Sequence, residues 1–112
     1  MLPLKNRLRK KTDLERVFKK GKGLKEDLLI LKRVKNNLEE TRFGFIVSQK
    51  VSKKASTRNK VKRRLRALVE KKLNKIASGA DVLIIVAPGI EKKDFWEIEE
   101  RIDRLFKKAK II

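Results

Sequence analysis

Arg58-Asn59-Lys60-Val61-Lys62-Arg63-Arg64-Leu65-Arg66 stands at the centre of the most cationic stretch of the 112-residue chain, Arg42 to Leu73. Seven of these nine residues are polar or basic, and the two apolar ones, Val61 and Leu65, fall four apart. Leu68, Val69, Leu73 and Ile76 extend the pair to an i, i+4, i+7, i+8, i+12, i+15 recurrence, the pattern of one buried helix face. The spacing predicts a helix capped by Ser56 or Thr57 and closed before Gly79, with Lys71, Lys72 and Lys75 near its end. Lys62, Arg63 and Arg66 then line one flank of the apolar arc, while Lys60, Arg64 and Lys71 line the other. A charge run is ordinarily a solvated face with acids interspersed, but between Lys50 and Lys75 the only acid is Glu70. Such uncompensated charge asks for a polyanion, and a helix N-terminus adds outward-pointing N–H groups suited to phosphate.

The charge distribution sharpens this reading. Lys and Arg number 33 against 14 acids, a net charge of +19. Residues 1 to 75 hold 26 basic and 7 acidic residues, whereas 76 to 112 hold 7 of each, so the whole surplus lies in the first two-thirds. Self-repulsion of this size is normally neutralised by a partner, most often phosphates. With no Cys and no His, the chain has neither a disulfide nor a thiolate or imidazole metal site, and no imidazole base. No apolar run reaches the ~18 to 20 residues of a membrane span, and Met1 to Lys11 lacks the apolar segment of a secretory signal, so a cytoplasmic protein is expected. The abundance of Lys and Glu, with a single Met, fits a thermophilic source.

One domain, residues 1 to 112, is expected at this length. Met1 to Lys11 reads as a basic arm along the surface, anchored by Leu2, Leu4 and Leu8. Thr12 and Glu15 have capping-box spacing, and Leu14, Val17 and Phe18 fall at i, i+3, i+4, so a short helix should run to Lys20 and stop at Gly21 and Gly23. Phe18 fits a core or a cleft equally well. Leu28 to Leu31, extended by Val34, predicts a strand from Asp27 to Lys35 that turns at Asn36-Asn37. Arg42 to Ser48 alternates, with Phe43, Phe45 and Val47 on one face, which suggests an antiparallel hairpin with the preceding strand. The basic loop from Gln49 to Ser56 could hold a short strand at Lys50 to Ser52. Val82 to Val86 is apolar on both faces and should be a central strand ended by Pro88-Gly89. Asp94 and Glu97 repeat the capping-box spacing before a helical stripe of Phe95, Ile98, Ile102, Leu105, Phe106 and Ala109. The sum is an α+β two-layer sandwich of order α-β-β-(β)-α-β-α, with a strand-helix-strand crossover carrying the cationic helix.

The nonapeptide resembles the signature of the bacterial ribonuclease P protein subunit, close to Arg-Asn-Arg-x-Lys-Arg-x-x-Arg. Arg58, Asn59, Lys62, Arg63 and Arg66 match it, and Lys60 stands where the family usually has Arg. The likeness spans nearly the whole chain: Arg7-Leu8, Asp13, Val17-Phe18 and Gly21 before the motif, Arg42, Gly44, Val47-Ser48 and Ala55 leading into it, and Asp81 and Leu105-Phe106-Lys107-Lys108 after it. The resemblance implies a fold similar to domains of ribosomal proteins and translation factors. It also implies a protein that is not the catalyst: a large RNA with magnesium ions cleaves the 5′ leader from precursor tRNA. By carry-over, Arg58, Asn59, Lys60, Lys62, Arg63 and Arg66 would contact the catalytic RNA, with Lys50, Lys53 and Lys54 beside them by charge. Asn59 could instead be a local cap. The single-stranded leader would lie in a cleft between the first helix and the sheet, at Phe18, Leu14 and Leu31. Leu14 and Leu31 replace aromatic residues common in relatives, so leader stacking should be weaker here, and Ala87 replaces a common cation, which removes a leader contact.

The residues agree independently that no catalytic centre is present, since no carboxylate cluster offers a metal site or a general base. Phe43, Phe45, Phe95 and Phe106 read as core, and Trp96 as an edge cover. Competing readings are a structural ribosomal or RNA-chaperone protein, which would share the composition, and a protein-only nuclease, which the missing cluster disfavours.

Overall fold

The computed structural model describes residues 2–112. Seven elements follow in order: α1 (Lys11–Lys20), β1 (Lys22–Glu26), β2 (Leu29–Lys35), β3 (Arg42–Ile46), α2 (Ala55–Lys72), β4 (Ala80–Val86) and α3 (Phe95–Lys108). They build one four-stranded sheet of order β1-β2-β4-β3, in which β1–β2 and β2–β4 are antiparallel and β3–β4 is parallel. The α+β class and the β3-α2-β4 crossover are as the sequence predicts. β4, apolar at every position from Val82 to Val86, occupies the interior of the sheet because both its faces are covered.

The strand pairing departs from expectation. The segment from Arg42 does not fold back on β2; β4 enters between them, and β2 takes its hairpin partner from the other side. That partner, β1, was hidden by Gly21 and Gly23, which read as helix stops. It is an edge strand with little to bury, and its turn to β2 passes through Asp27 in the left-handed region at φ 53. The short strand expected at Lys50 to Ser52 is a turn: Val51 is buried, and its N–H donates to the Ser48 carbonyl at 3.0 Å.

The helices divide between the faces of the sheet. α2 and α3 share one, where Leu29, Leu31, Phe43, Val82, Ile84 and Val86 meet Val61, Leu65, Leu68, Ile102 and Phe106. Phe43 and Phe106 stack with ring centroids 5.9 Å apart. On the other face, Leu83 of β4 meets Val17 of α1, with Leu14, Val34, Ile46 and Ile85 around them. α1 thus adds a partial third layer to the sandwich. The Asp94–Glu97 capping box of α3 forms as predicted. Neither Thr12 nor Ser56 nor Thr57 acts as a cap: α1 follows Lys10 and α2 follows Lys54, each without a side-chain cap hydrogen bond.

The N-terminal arm clasps the exposed edge of β3. Leu8 N–H donates to the Phe43 carbonyl at 2.8 Å, and Asn6 Nδ2 donates to the Thr41 carbonyl at 3.0 Å. Leu2 enters the core on the α2–α3 side and Leu8 the core on the α1 side, whereas Leu4 stays exposed. Among the described residues, no helix is long and apolar enough to cross a membrane.

Candidate nucleic-acid interface

α2 buries Val61, Leu65, Leu68 and Val69 against the sheet, which turns its basic positions outward or sideways. Its two ends differ electrostatically. Near the C-terminus, Lys71 Nζ lies 2.8 Å from Glu99, and Lys72 Nζ lies 2.6 Å from Asp103 and 3.9 Å from Glu99 of α3. Among the described residues, no ion pair engages Arg58, Lys60, Lys62, Arg63 or Arg66, nor Lys50, Lys53 or Lys54 in the loop before them. The acids of α3 therefore neutralise one end of the helix and leave the other bare.

The bare end is ordered. Arg58 Nη1 donates to the Ser52 carbonyl at 2.9 Å, so this arginine is half-buried and braces the entering loop. Asn59 is exposed and makes no side-chain hydrogen bond within the described chain, which rules out the cap role and leaves its amide free. Lys60 and Arg63 are exposed; Lys62 and Arg66 are half-buried because they flank a groove of about 270 Å³ along the β3 edge. Arg7 and Arg9 of the arm, Leu14 of α1 and Gly44 line the same groove. A Cβ on Gly44 would come within 2.6 Å of Leu14 Cδ2 and 3.2 Å of the Leu8 carbonyl oxygen. A larger residue would have to push the Leu14 side chain aside and ease the arm away by a few tenths of an ångström, so glycine favours this close approach. Arg7 and Arg9 escaped sequence reasoning as members of this site, since the arm's docking rests on two leucines far from the motif.

α1 is fixed over the opposite sheet face by a carboxylate. Asp81 has no solvent exposure. Arg42 reaches it through Nε at 2.8 Å and Nη2 at 2.7 Å, Asn36 Nδ2 lies at 2.9 Å, and Arg16 Nη2 of α1 at 2.5 Å. Burial pushes the Asp81 carboxyl up, but the hydrogen bonds from Arg42 and Asn36 and the charges of Arg42 and Arg16 outweigh it and hold the group below its ordinary value. Arg42 is raised in return, first by its hydrogen bond to Asp81. The end of α1 approaches β2 through Gly21, where a Cβ would meet the Val17 carbonyl oxygen at 2.6 Å and Lys32 Cβ at 2.9 Å.

Beyond α1 this face stays open. Phe18 is 49% exposed, and Lys32 Nζ sits 4.3 Å from its ring centroid while donating to the Phe18 carbonyl at 2.8 Å. The pair is a cation–π contact in reach of solvent. Leu14 is half-buried on the same side, against Gly44. Leu31 is not: it is fully buried in the core under α2 and α3, so its placement in the cleft is corrected. Side chains alternate along a strand, and Leu29 and Leu31 take the core side while Lys32 and Val34 take the α1 side. The unbroken run Leu28 to Leu31 concealed this parity, and with it the role of Lys32. No group of three or more His, Cys, Asp or Glu side chains among the described residues is arranged to hold a metal ion.

The profile of the family described as Ribonuclease P matches residues 2–110. The chain is 36% identical over 113 residues to the ribonuclease P protein component of Pseudanabaena sp., covering 100% of this chain and 97% of that one. It is 32% identical to the ribonuclease P protein component of Thermotoga maritima, covering 93% and 92%. Among solved structures, the Staphylococcus aureus RNase P protein superposes with a TM-score of 0.86 at 25% identity over 95% of this chain and 96% of that one. The Thermotoga maritima RNase P protein, in complex with 1-(4-fluorophenyl)-2-thiourea, superposes with 0.83 at 32% identity over 90% and 97%. Arm, cationic helix, sheet and closing helix all fall inside these matches, and the chain belongs to the ribonuclease P protein family, the protein components of the holoenzyme that processes tRNA 5′ ends.

Proposed function

We propose that this chain binds the catalytic RNA of ribonuclease P through the unpaired half of α2 and guides the 5′ leader of precursor tRNA along the face beside α1. The observation that carries the reading is the electrostatic division of α2: its acid partners stop at Lys71 and Lys72, and Lys60, Lys62, Arg63 and Arg66 face solvent or the β3-edge groove without them. Arg58, Asn59, Lys60, Lys62, Arg63 and Arg66 contact RNA phosphates and sugars, with arginine suited to bidentate phosphate geometry. Lys50, Lys53 and Lys54 extend the contact from the loop. Phe18 with Lys32 supplies one stacking face and one cation for an unpaired base and its phosphate, and Leu14 an apolar border. The magnesium ions that drive hydrolysis are held by the RNA, and the protein works in the cytoplasm, where it meets precursor tRNA.

The deciding experiment is cleavage of a precursor tRNA at low magnesium by the protein alone, a bacterial catalytic RNA alone, and both together. Release of the leader by the mixture only supports the cofactor-subunit reading. Cleavage by the protein alone would assign it a catalytic centre, and no effect of mixing would favour a ribosomal or chaperone role.

A further inference from the structure

A second cationic site lies at the other pole of the molecule. β2 and β4 run antiparallel, so the end of β2 at Lys35 lies beside the start of β4 at Ala80, the end of the sheet to which α2 delivers the chain. There the turn after β2, the segment from Ala77 to Ala80 and the residues after α3 enclose an open cup of about 480 Å³. Arg33, Lys35 and Lys110 line it, and no Asp or Glu does. Among the described residues none of the three cations is in an ion pair, whereas Arg101, Arg104 and Lys108 of α3 find acids at Glu26, Asp27 or Glu100.

The cup is built before any ligand arrives. Arg33 Nη1 donates to the Ala109 carbonyl at 2.8 Å, Ala77 N–H to the Ile111 carbonyl at 2.8 Å, and Asn36 N–H to the Gly79 carbonyl at 2.9 Å, so its three walls are hydrogen-bonded to one another. Asn37, Gly79 and Lys110, one from each wall, all have left-handed backbone, at φ 59, 89 and 58. At Lys110 this is the residue after the α3 cap, where the Lys110 and Ile111 N–H groups close onto the Lys107 and Phe106 carbonyls. Glycine is the residue that fits there without strain, so helix termination does not explain a lysine.

We propose that Arg33, Lys35 and Lys110 form a second RNA-backbone site, taking one or two phosphates of an RNA segment distinct from the one on α2. From Arg58 to Arg66, roughly 21 to 9 Å of α2 remain before its end at Lys72, at about 1.5 Å per residue, and the chain then runs on to the cup at Ala77, beyond the reach of a single phosphate pair. The site rests on the reading of the chain as an RNA-binding subunit, and the test separates the two claims. The probes are the catalytic RNA, the same RNA with precursor tRNA bound, and inorganic pyrophosphate with the free full-length protein. The variants are Lys35→Glu and Lys110→Gly, singly and together; Arg33 is spared because it caps α3.

The double variant is expected to lower the slope of log affinity against log salt by about 0.7 to 1.8, at roughly 0.7 to 0.9 for each of the one or two phosphate contacts. Lys110→Gly is expected to weaken RNA binding while leaving thermal stability equal or higher, which a purely structural lysine would not do. An unchanged slope with both RNA probes, while Lys62→Glu/Arg63→Glu still weakens binding, would overturn the cup and leave the function standing. Pyrophosphate binding that the double variant abolishes, with RNA affinity untouched, would make this a small-anion site and likewise overturn the RNA assignment. Wild-type protein without salt-dependent RNA affinity would overturn the functional reading itself.

Discussion

At Asp81, burial and charge are set against each other, and the balance depends on every partner being present. Four hydrogen bonds from Arg16, Asn36 and Arg42 hold a carboxylate that has no water around it. Asp81→Asn keeps the volume and removes the charge, leaving two guanidiniums facing each other. Breaking a buried pair costs about 3 to 5 kcal/mol, and the lower end applies because Arg16 and Arg42 are partly solvated. Urea denaturation should register that loss. Because the Asp81 carboxyl titrates lower in the folded than in the unfolded chain, its contribution is complete above the ordinary carboxylate range and is lost as pH falls through its folded value. The variant should therefore show a flatter loss of stability in acid than the parent. Phe18 is the contrasting case, half in water and covered on one side by Lys32. Phe18→Ala should cost little stability but weaken a precursor tRNA with a leader by about 1 to 3 kcal/mol relative to mature tRNA, the worth of one stacked base. Equal losses for both tRNAs would place Phe18 outside the leader path.

Among the elements, α2 offers the sharpest internal comparison, since one helix carries both structural and unpaired cations. Lys62→Glu/Arg63→Glu should reduce catalytic-RNA affinity and its salt slope with thermal stability nearly unchanged, because neither residue has an acid partner to lose. Lys72→Ala should do the reverse, costing up to about 1 kcal/mol of stability through Glu99 and Asp103 while leaving the salt slope intact. Reading both variants by thermal melting and by binding at several salt concentrations separates the halves. Helices were legible in the sequence to this depth because a 3.6-residue period states which side is buried; the seam Val61, Leu65, Leu68, Val69 is buried as the spacing implies. β4 was legible because a run apolar on both faces has only an interior position open to it. The strand neighbours were not, since alternation specifies faces and says nothing of who pairs with whom, so the Arg42 strand was assigned to the wrong partner. β1 was missed for want of side chains to bury, and Leu31 was put on the wrong face because a run without alternation carries no parity. The candidate site divides in the same way: the motif on α2 could be read in line, whereas Arg7, Arg9 and Lys32 join it only through tertiary packing.

For the molecule as a whole, a net charge of +19 on 112 residues makes salt act in opposite directions on folding and on binding. Most of the acids are already used: Glu26 gathers Arg101, Arg104 and Lys108, and its carboxyl is held below its ordinary value chiefly by the hydrogen bond from Lys108. What is left is positive charge on α1, the loop before α2 and the first half of α2, held together by the core against its own repulsion. At about 0.1 M salt the screening length is roughly 10 Å, comparable to the spacing of such charges, so raising salt from near 0.02 M to 0.5 M should stabilise the free protein. A gain of 1 kcal/mol would appear as a melting point higher by about 4 to 8 °C for a domain near this size. The same titration should weaken catalytic-RNA binding steeply, because each counterion released gains less entropy when more are already present in solution. Catalytic RNA added at low salt should in turn raise the melting point, by about 2.7 kcal/mol of stabilisation at a hundredfold excess over its dissociation constant. Melting curves with and without RNA across that salt range test the argument at once: the two curves should converge as salt rises, from below for the free protein and from above for the complex. A free protein that loses stability with added salt would mean that its surface ion pairs, rather than its uncompensated cations, dominate the balance.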